Sequence, residues 1–278
     1  MEKVWPAPNV TSEFINAYNF EIFNVASACK SLIKCRPLML TVIGCYLLSV
    51  VISHRAMKSA RPMELRSSLL IWNTLLAIMS AIGFIRTFPE PFHIITQQPS
   101  GVYKAICTYE FHNYATGFWA LISVISKIVE LGDTAFIIFR KQKLIFLHWY
   151  HHTTVILLTW FGYEAYDPVF RCFVPMNYFI HAWMYTYYAL KSQKISVPSV
   201  VSMAITATQI TQMFVGAGLS IYSLHILMNT NDLCHRPLRN VFLGLFIFGS
   251  YFVLFLNYFF HAYFRPSKKT TSKIVKTN

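Results

Sequence analysis

The chain has 278 residues, of which 55% are hydrophobic, 17% aromatic and only 13% charged, with a formal net charge of +13. A soluble protein of this length carries roughly 25% charged residues, so the deficit excludes an ordinary water-soluble globule. Six cysteines are too few for a disulfide scaffold.

From the N-terminus, residues 1–36 are polar and mixed, and no cleavable signal peptide is expected because the first apolar run is long enough to remain as a span. They include "NVT", the only N-x-S/T sequon, which makes Asn9 a glycosylation candidate. Apolar segments follow at 37–53, 68–85, 117–139, 144–163, 169–190, 200–219 and 241–264. Each approaches the ~20 residues a helix needs to cross hydrocarbon, although polar groups interrupt the third and fourth. None shows the ~10-residue alternation of an outer-membrane barrel strand. The fold class is therefore all-α, a polytopic membrane protein with seven transmembrane helices. Without repeats or linkers, one integral membrane domain over 1–278 is expected: an N-terminal segment at 1–36, a bundle at 37–264 and a basic tail at 265–278.

Charge sets the orientation. Arg55, Lys58, Arg61 and Arg66 follow the first segment, Arg140, Lys141 and Lys143 the third, and Lys191 and Lys194 the fifth, while Arg265, Lys268, Lys269, Lys273 and Lys276 lie in the tail. These fourteen fall on one side of a seven-span arrangement against nine on the other, which places them in the cytosol. The N-terminus and Asn9 then face the lumen. So do Cys107 and Cys234, which an oxidising lumen would allow to pair, with two free thiols an equal alternative. The same bias accounts for the positive charge without a nucleic-acid partner. A nucleotide-bearing substrate or anionic lipid fits it better.

Helical rise places each polar residue by depth. His148, His151 and His152 lie roughly 6–12 Å from the cytosolic end of their segment, and Lys127, Glu130 and Asp133 roughly 9–18 Å from theirs. His181 lies roughly 13 Å deep with Asn177 one turn deeper, and Gln209 and Gln212 roughly 13–18 Å deep. Asn257 and His261 share the same cytosolic half. Polar groups in hydrocarbon cost several kcal/mol each unless they face one another or a wet cavity. A common layer points to a buried reaction chamber open to the cytosol.

"HWYHH" sets His148, His151 and His152 on one helical face, at i, i+3 and i+4. A lone intramembrane histidine usually bonds a neighbouring helix, but three on one face suggest metal binding or acid–base and nucleophilic chemistry. Only His181 and His261 could join them, which under-supplies a dinuclear metal centre, and no metal site is assigned. In "KIVELGD", Lys127 can neutralise one carboxylate of Glu130 and Asp133, leaving the second for a histidine of the fourth segment. "NYFIHAWMYTYY" aligns Asn177, His181, Tyr185 and Tyr188 near one face, of which an aromatic belt explains only part. "TQITQ" sets Gln209 and Gln212 one turn apart, as interhelical bonds or as substrate contacts.

Together, HxxHH at 148–152, KxxExxDT at 127–134, NxxxHxxMYxYY at 177–188 and QxxQ at 209–212 resemble the ELO family of fatty-acid elongases, in that family's order. "FRKQKLIFLHWYHH", with a tryptophan after the first histidine, is similar to the subgroup acting on saturated and monounsaturated long chains. The resemblance implies a very-long-chain 3-oxoacyl-CoA synthase of the endoplasmic reticulum membrane. Such an acyltransferase condenses a long-chain acyl-CoA with malonyl-CoA, releases CO2 and CoA, and needs no resident cofactor. It also implies that six or so helices form a barrel-like bundle around a closed substrate tunnel, and that Cys107 and Cys234 form a lumenal disulfide. Partner reductases and a dehydratase are implied, and a homodimer is admitted.

On this resemblance His151 and His181 are the reacting pair, with histidine as acyl carrier because no cysteine lies in the polar layer. His148 and His152 orient them, Glu130 and Asp133 set tautomers, and Asn177 and Gln212 donate to a thioester or enolate oxygen. Lys127, Tyr185, Tyr188, Gln209, Asn257 and His261 line the substrate. Arg140, Lys143, Lys191 and Arg265 meet the CoA phosphates. The competing classes are an iron-dependent membrane desaturase or hydroxylase and a seven-span receptor or transporter.

Overall fold

An apolar run that must satisfy its own backbone in lipid has the α-helix as its open-chain solution, and helices occupy all seven apolar segments. The computed structural model describes residues 5–264. In chain order these hold α1 (Val25–Lys34), α2 (Arg36–Ala56), α3 (Arg66–Thr87), α4 (Pro89–Gln97), α5 (Gly101–Cys107) and α6 (Tyr114–Val129). There follow α7 (Gly132–Phe139), α8 (Phe146–Glu164), α9 (Phe170–Ser192), α10 (Ser199–Asn229) and α11 (Leu238–Tyr263). Among the described residues no strand forms, and the one isolated bridge joins Asn9 to Asn113.

Four stretches are long and apolar enough to cross a membrane: Arg36–Ala56, Arg66–Gln97, Ser199–Asn229 and Leu238–Tyr263. The expectation of seven is thus met in part. Helices α8 and α9 are long, but their histidines and other polar side chains dilute them. The third segment is two helices, α6 and α7, which meet at Glu130–Leu131. There the Leu131 N–H donates to the Ile128 carbonyl at 3.2 Å, the tighter bonding of a 3₁₀ turn. Helix α10 also continues to Asn229, well past the expected end at 219. Helices α1, α4 and α5 were not announced by any apolar run of spanning length. α4 starts straight after α3 because Pro89 occupies its first turn, where a missing N–H costs nothing.

The principal packing runs in a circuit, α3 on α6, α6 on α8, α8 on α11, α11 on α10, α10 on α9 and α9 back on α3. Glycines let several of these helices approach closely. A Cβ at Gly83 would lie 2.5 Å from the Tyr178 ring, and one at Gly216 would lie 2.8 Å from Phe248. α2 stands outside the circuit and buries only Met39, Ile43 and Tyr46. Its other faces, like those of α3, α10 and α11, expose Leu40, Leu48, Leu75, Phe214, Phe246 and Val253. Apolar exposure on this scale fits a lipid-facing exterior.

At the end of the bundle where α3 stops and α6 begins, buried carboxylates are each paired with a basic group. Glu90 accepts from the Asn113 N–H at 2.9 Å and lies 2.7 Å from His112 Nδ1. Arg236 donates to Asp167 at 2.9 Å, and Arg36 to Glu164 at 2.7 Å. Arg171 Nε is 3.1 Å from Glu90 without its N–H pointing at the oxygen, so that contact is between charges and is not a hydrogen bond. Cys107 and Cys234 are disulfide-bonded at this same end, joining α5 to the segment before α11. Asn9 is exposed there, its backbone held to His112 and Tyr114, so the sequon asparagine is accessible.

Glu21 fastens the N-terminal segment to the bundle. Its fully buried carboxylate accepts from Arg86 Nε at 2.9 Å, Trp119 Nε1 at 2.8 Å and the Tyr18 N–H at 2.8 Å. Burial pushes its pKa up, but the bonds from Arg86, Tyr18 and Trp119 outweigh burial and hold it below the usual 4.5. Its stabilising charge is therefore present above the ordinary carboxylate value and is lost only as pH falls through the lower folded value. Glu21→Gln, which strands Arg86, should cost about 3–5 kcal/mol at pH 7. Thermal unfolding in detergent should show the gap to wild type closing as pH drops below 4.5; a gap independent of pH would contradict the assignment.

Candidate functional site

At the other end of the circuit, α7, α8, α9, α10 and α11 surround a cavity of about 630 Å³. It is lined by Glu130 and Asp133, by His148, His151 and His152 of α8, by Asn177, His181, Tyr185 and Tyr188 of α9, and by Gln209 and Gln212 of α10. Arg140 and Lys191 line it nearer the helix ends that lead into the 140–145 and 193–198 connections. The cavity thus gathers most of the residues that the sequence placed in one layer.

The floor of the site is an ionic node. Lys127 and Glu130 are 2% and 1% exposed, and Lys127 Nζ donates to both Glu130 oxygens at 2.9 and 3.1 Å. Its remaining donor reaches Asn177 Oδ1 on α9 at 2.8 Å. Ser126 adds a bond to Glu130 Oε1 at 3.0 Å. His181 Nδ1 lies 3.6 Å from Glu130 Oε2, too long for a hydrogen bond but close enough for the carboxylate to bias the ring. Lys127, expected among substrate contacts, stands behind the wall and holds Glu130 and Asn177 in place.

Asp133 corrects a sequence expectation. Its partner is not a histidine: Trp72 Nε1 of α3 donates to one oxygen at 2.6 Å and the Tyr185 hydroxyl to the other at 2.8 Å. The indole reaches it because residue 132 is glycine, where a Cβ would lie 2.8 Å from the Trp72 ring. Asp133 therefore anchors α3 and α9 to α7. Tyr185 is spent on this bond.

The four histidines differ in how they are held. His148 Nε2 is 3.0 Å from Thr134 Oγ1, and its ring lies 4.4 Å from that of His152. His152 is buried, and among the described residues its Nδ1 has no hydrogen-bond partner. The His151 ring packs against Tyr251 at 4.9 Å and Phe255 at 6.4 Å, while the Tyr251 hydroxyl donates to the His151 carbonyl at 3.1 Å. Among the described residues nothing hydrogen-bonds the His151 ring, which leaves its nitrogens to whatever enters the cavity. No three His, Cys, Asp or Glu side chains among the described residues are grouped so as to hold a metal ion.

Other expected contacts fall elsewhere. Lys143, Asn257 and His261 are exposed and off the cavity wall; His261 Nδ1 is 2.7 Å from the Asn257 carbonyl one turn earlier on its own helix. On α11, Asn257 and His261 face away from the cavity, a rotation that the depth count could not resolve. Arg265 lies outside the described residues. Gln209 turns its amide to Met184 Sδ at 3.4 Å. Trp72, Tyr46, Ser126 and Thr134 escaped the sequence reading as site residues. For Thr134 the signal was present in KxxExxDT; for Trp72 only a solitary polar-tipped ring in mid-segment hinted at it.

Gly132→Ala should push Trp72 off Asp133 and leave a buried carboxylate one donor short. The expected cost is about 1–3 kcal/mol in thermal stability, with a matching loss from Trp72→Phe. The double variant should cost little more than either single change, since both remove one bond; additive losses would show that Gly132 matters for something else.

The chain matches the family described as ELO: GNS1/SUR4 over residues 32–271. It is 41% identical over 226 residues to the Drosophila melanogaster very long chain fatty acid elongase 6, covering 80% of this chain and 71% of that one. It is 43% identical over 209 residues to the human very long chain fatty acid elongase 6, covering 75% and 77%. Against the human very long chain fatty acid elongase 3 it is 38% identical over 229 residues, covering 82% and 83%. With that extent of matching sequence, this chain belongs to the ELO: GNS1/SUR4 family.

Proposed function

We propose that this protein is the condensing enzyme of fatty-acid elongation, joining a long-chain acyl-CoA to malonyl-CoA. The carrying observation is that His151 and His181, from different helices, line one cavity, with the His151 ring free of hydrogen bonds from the described residues. The names of its relatives support the same substrate class. The comparisons do not favour the iron-dependent desaturase alternative.

In the first step a His151 nitrogen attacks the thioester carbonyl of acyl-CoA. The C–S bond breaks, the imidazole proton passes to the departing thiolate, and CoA leaves as the free thiol. An acyl-imidazole remains. Malonyl-CoA then loses CO2, and the electron pair of the broken C–C bond becomes the enolate of acetyl-CoA. That enolate carbon attacks the acyl-imidazole carbonyl; a C–C bond forms, the C–N bond breaks, and the imidazole regains one proton from water. The product is a 3-oxoacyl-CoA two carbons longer, and one proton is consumed overall. His181, steadied by Glu130, faces the enolate oxygen, and Asn177 and Gln212 supply further donors, the form of stabilisation that usually contributes most.

Arg140 and Lys191 flank the mouth and suit the CoA phosphates as charge-assisted contacts. We place the protein in the endoplasmic reticulum membrane with the N-terminus lumenal, the C-terminus cytosolic, and seven spans, α6 and α7 counting as one. In this reading the helical circuit is a barrel-like bundle around a closed tunnel, and its 3-oxo product passes to reductases and a dehydratase.

Purified protein given radiolabelled malonyl-CoA and a panel of acyl-CoAs should form labelled 3-oxoacyl-CoA. His151→Ala should abolish the product, and His181→Ala should slow it by about 10²–10⁴-fold. Intact mass after acyl-CoA alone should show one acyl group that His151→Ala removes. No condensation in wild type would refute the function, and acylation surviving His151→Ala would refute the nucleophile.

A further inference from the structure

α2 contributes nothing to the cavity wall, yet it reaches the histidines through a chain of two hydrogen bonds. The Tyr46 hydroxyl lies 2.8 Å from Thr134 Oγ1, and that oxygen lies 3.0 Å from His148 Nε2. Tyr46 is 7% exposed and Thr134 2%, so neither hydroxyl can turn to water for a partner. Tyr46 ends the buried stripe Met39, Ile43, Tyr46 of α2.

We propose that Tyr46 is a positioning residue that acts through Thr134 to hold His148 with its ring proton on Nδ1. The polarity follows from counting protons. If the Tyr46 O–H donates to Thr134 and the Thr134 O–H donates to His148 Nε2, every hydroxyl proton has an acceptor. If instead His148 Nε2–H donates to Thr134 and Thr134 donates to Tyr46, the phenolic proton is left over. Among the described residues it has no other acceptor, and an unpaired buried hydroxyl is disfavoured. The same holds if both neighbours donate to Thr134, whose own proton is then stranded.

The consequence is a division of roles within HxxHH. With Nε2 occupied as an acceptor, His148 cannot serve as the base, and its Nδ1–H is a donor in a site that must stabilise developing negative charge. His151, whose ring has no such tether, keeps a lone pair for attack. The kinetic part of this inference rests on the condensing reading above; the tautomer assignment does not.

The test uses full-length protein labelled with ¹⁵N-histidine in lipid nanodiscs, with the His148 resonances identified by their loss in His148→Gln. Wild type should show His148 protonated at Nδ1. Tyr46→Phe and Thr134→Val should shift it toward Nε2–H, and Thr134→Ser should restore the wild-type pattern. In the malonyl-CoA assay Tyr46→Phe should lower kcat roughly 10-fold or more with little change in KM for acyl-CoA. A wild-type His148 protonated at Nε2 would overturn the proposal. So would a Tyr46→Phe that alters neither tautomer nor kcat, or one that alters the tautomer alone in an active enzyme. If the tautomer behaves as stated but wild type never condenses malonyl-CoA, the assignment stands and the functional reading falls.

Discussion

Glu130 is 1% exposed inside a bundle of apolar helices, and its charge has to be answered there. Lys127 answers it from one turn earlier on the same strand of chain and bonds Asn177 of α9 with its remaining donor. Removing either member of such a pair leaves an uncompensated charge, a loss of about 3–5 kcal/mol in other buried pairs. From this node the rest of the site follows. It fixes α6 against α9, sets His181 at 3.6 Å from a carboxylate, and coincides with the turn where α6 gives way to α7. That turn in turn delivers Gly132, Asp133 and Thr134 to Trp72, Tyr185 and His148.

The two ends of the bundle are built for opposite tasks. At one, Glu90, Asp167 and Glu164 are each paired with basic groups, and the disulfide closes the loops, so the end is ionically sealed. At the other, Arg140 and Lys191 border the cavity and form no ion pair with a carboxylate among the described residues. Basic groups of this kind are available to an anionic ligand in a way that those of the sealed end are not.

The position of each polar residue along its helix was legible in the sequence because helical rise is nearly constant, and that count alone grouped the three histidines of α8, Asn177 and His181, and the two glutamines of α10, which line one cavity. What it could not supply was rotation about the helix axis. Asn257 and His261 lie on α11 beside cavity-lining residues but on the wrong face. Nor could spacing name the partner of Asp133, since a bond to Trp72 spans sixty-one residues and depends on a missing Cβ at Gly132. The division of one apolar segment into α6 and α7 was equally hidden, because an apolar window reports burial and says little about whether the backbone tightens within it. The sealed end was invisible for a related reason: its ion pairs join residues distant in sequence, such as Arg236 with Asp167, 69 positions apart, and Arg36 with Glu164, 128 positions apart.

All of this turns on whether α8 and α9 offer their imidazoles to one substrate. The most direct measurement is an experimental structure of the protein bound to an unreactive acyl-CoA analogue in which a thioether replaces the thioester. The carbon that stands for the carbonyl should touch the His151 ring, with His181 on its other side and the CoA phosphates near Arg140 and Lys191. An analogue held on the lipid-facing surface, or with its sulfur remote from both rings, would contradict the account.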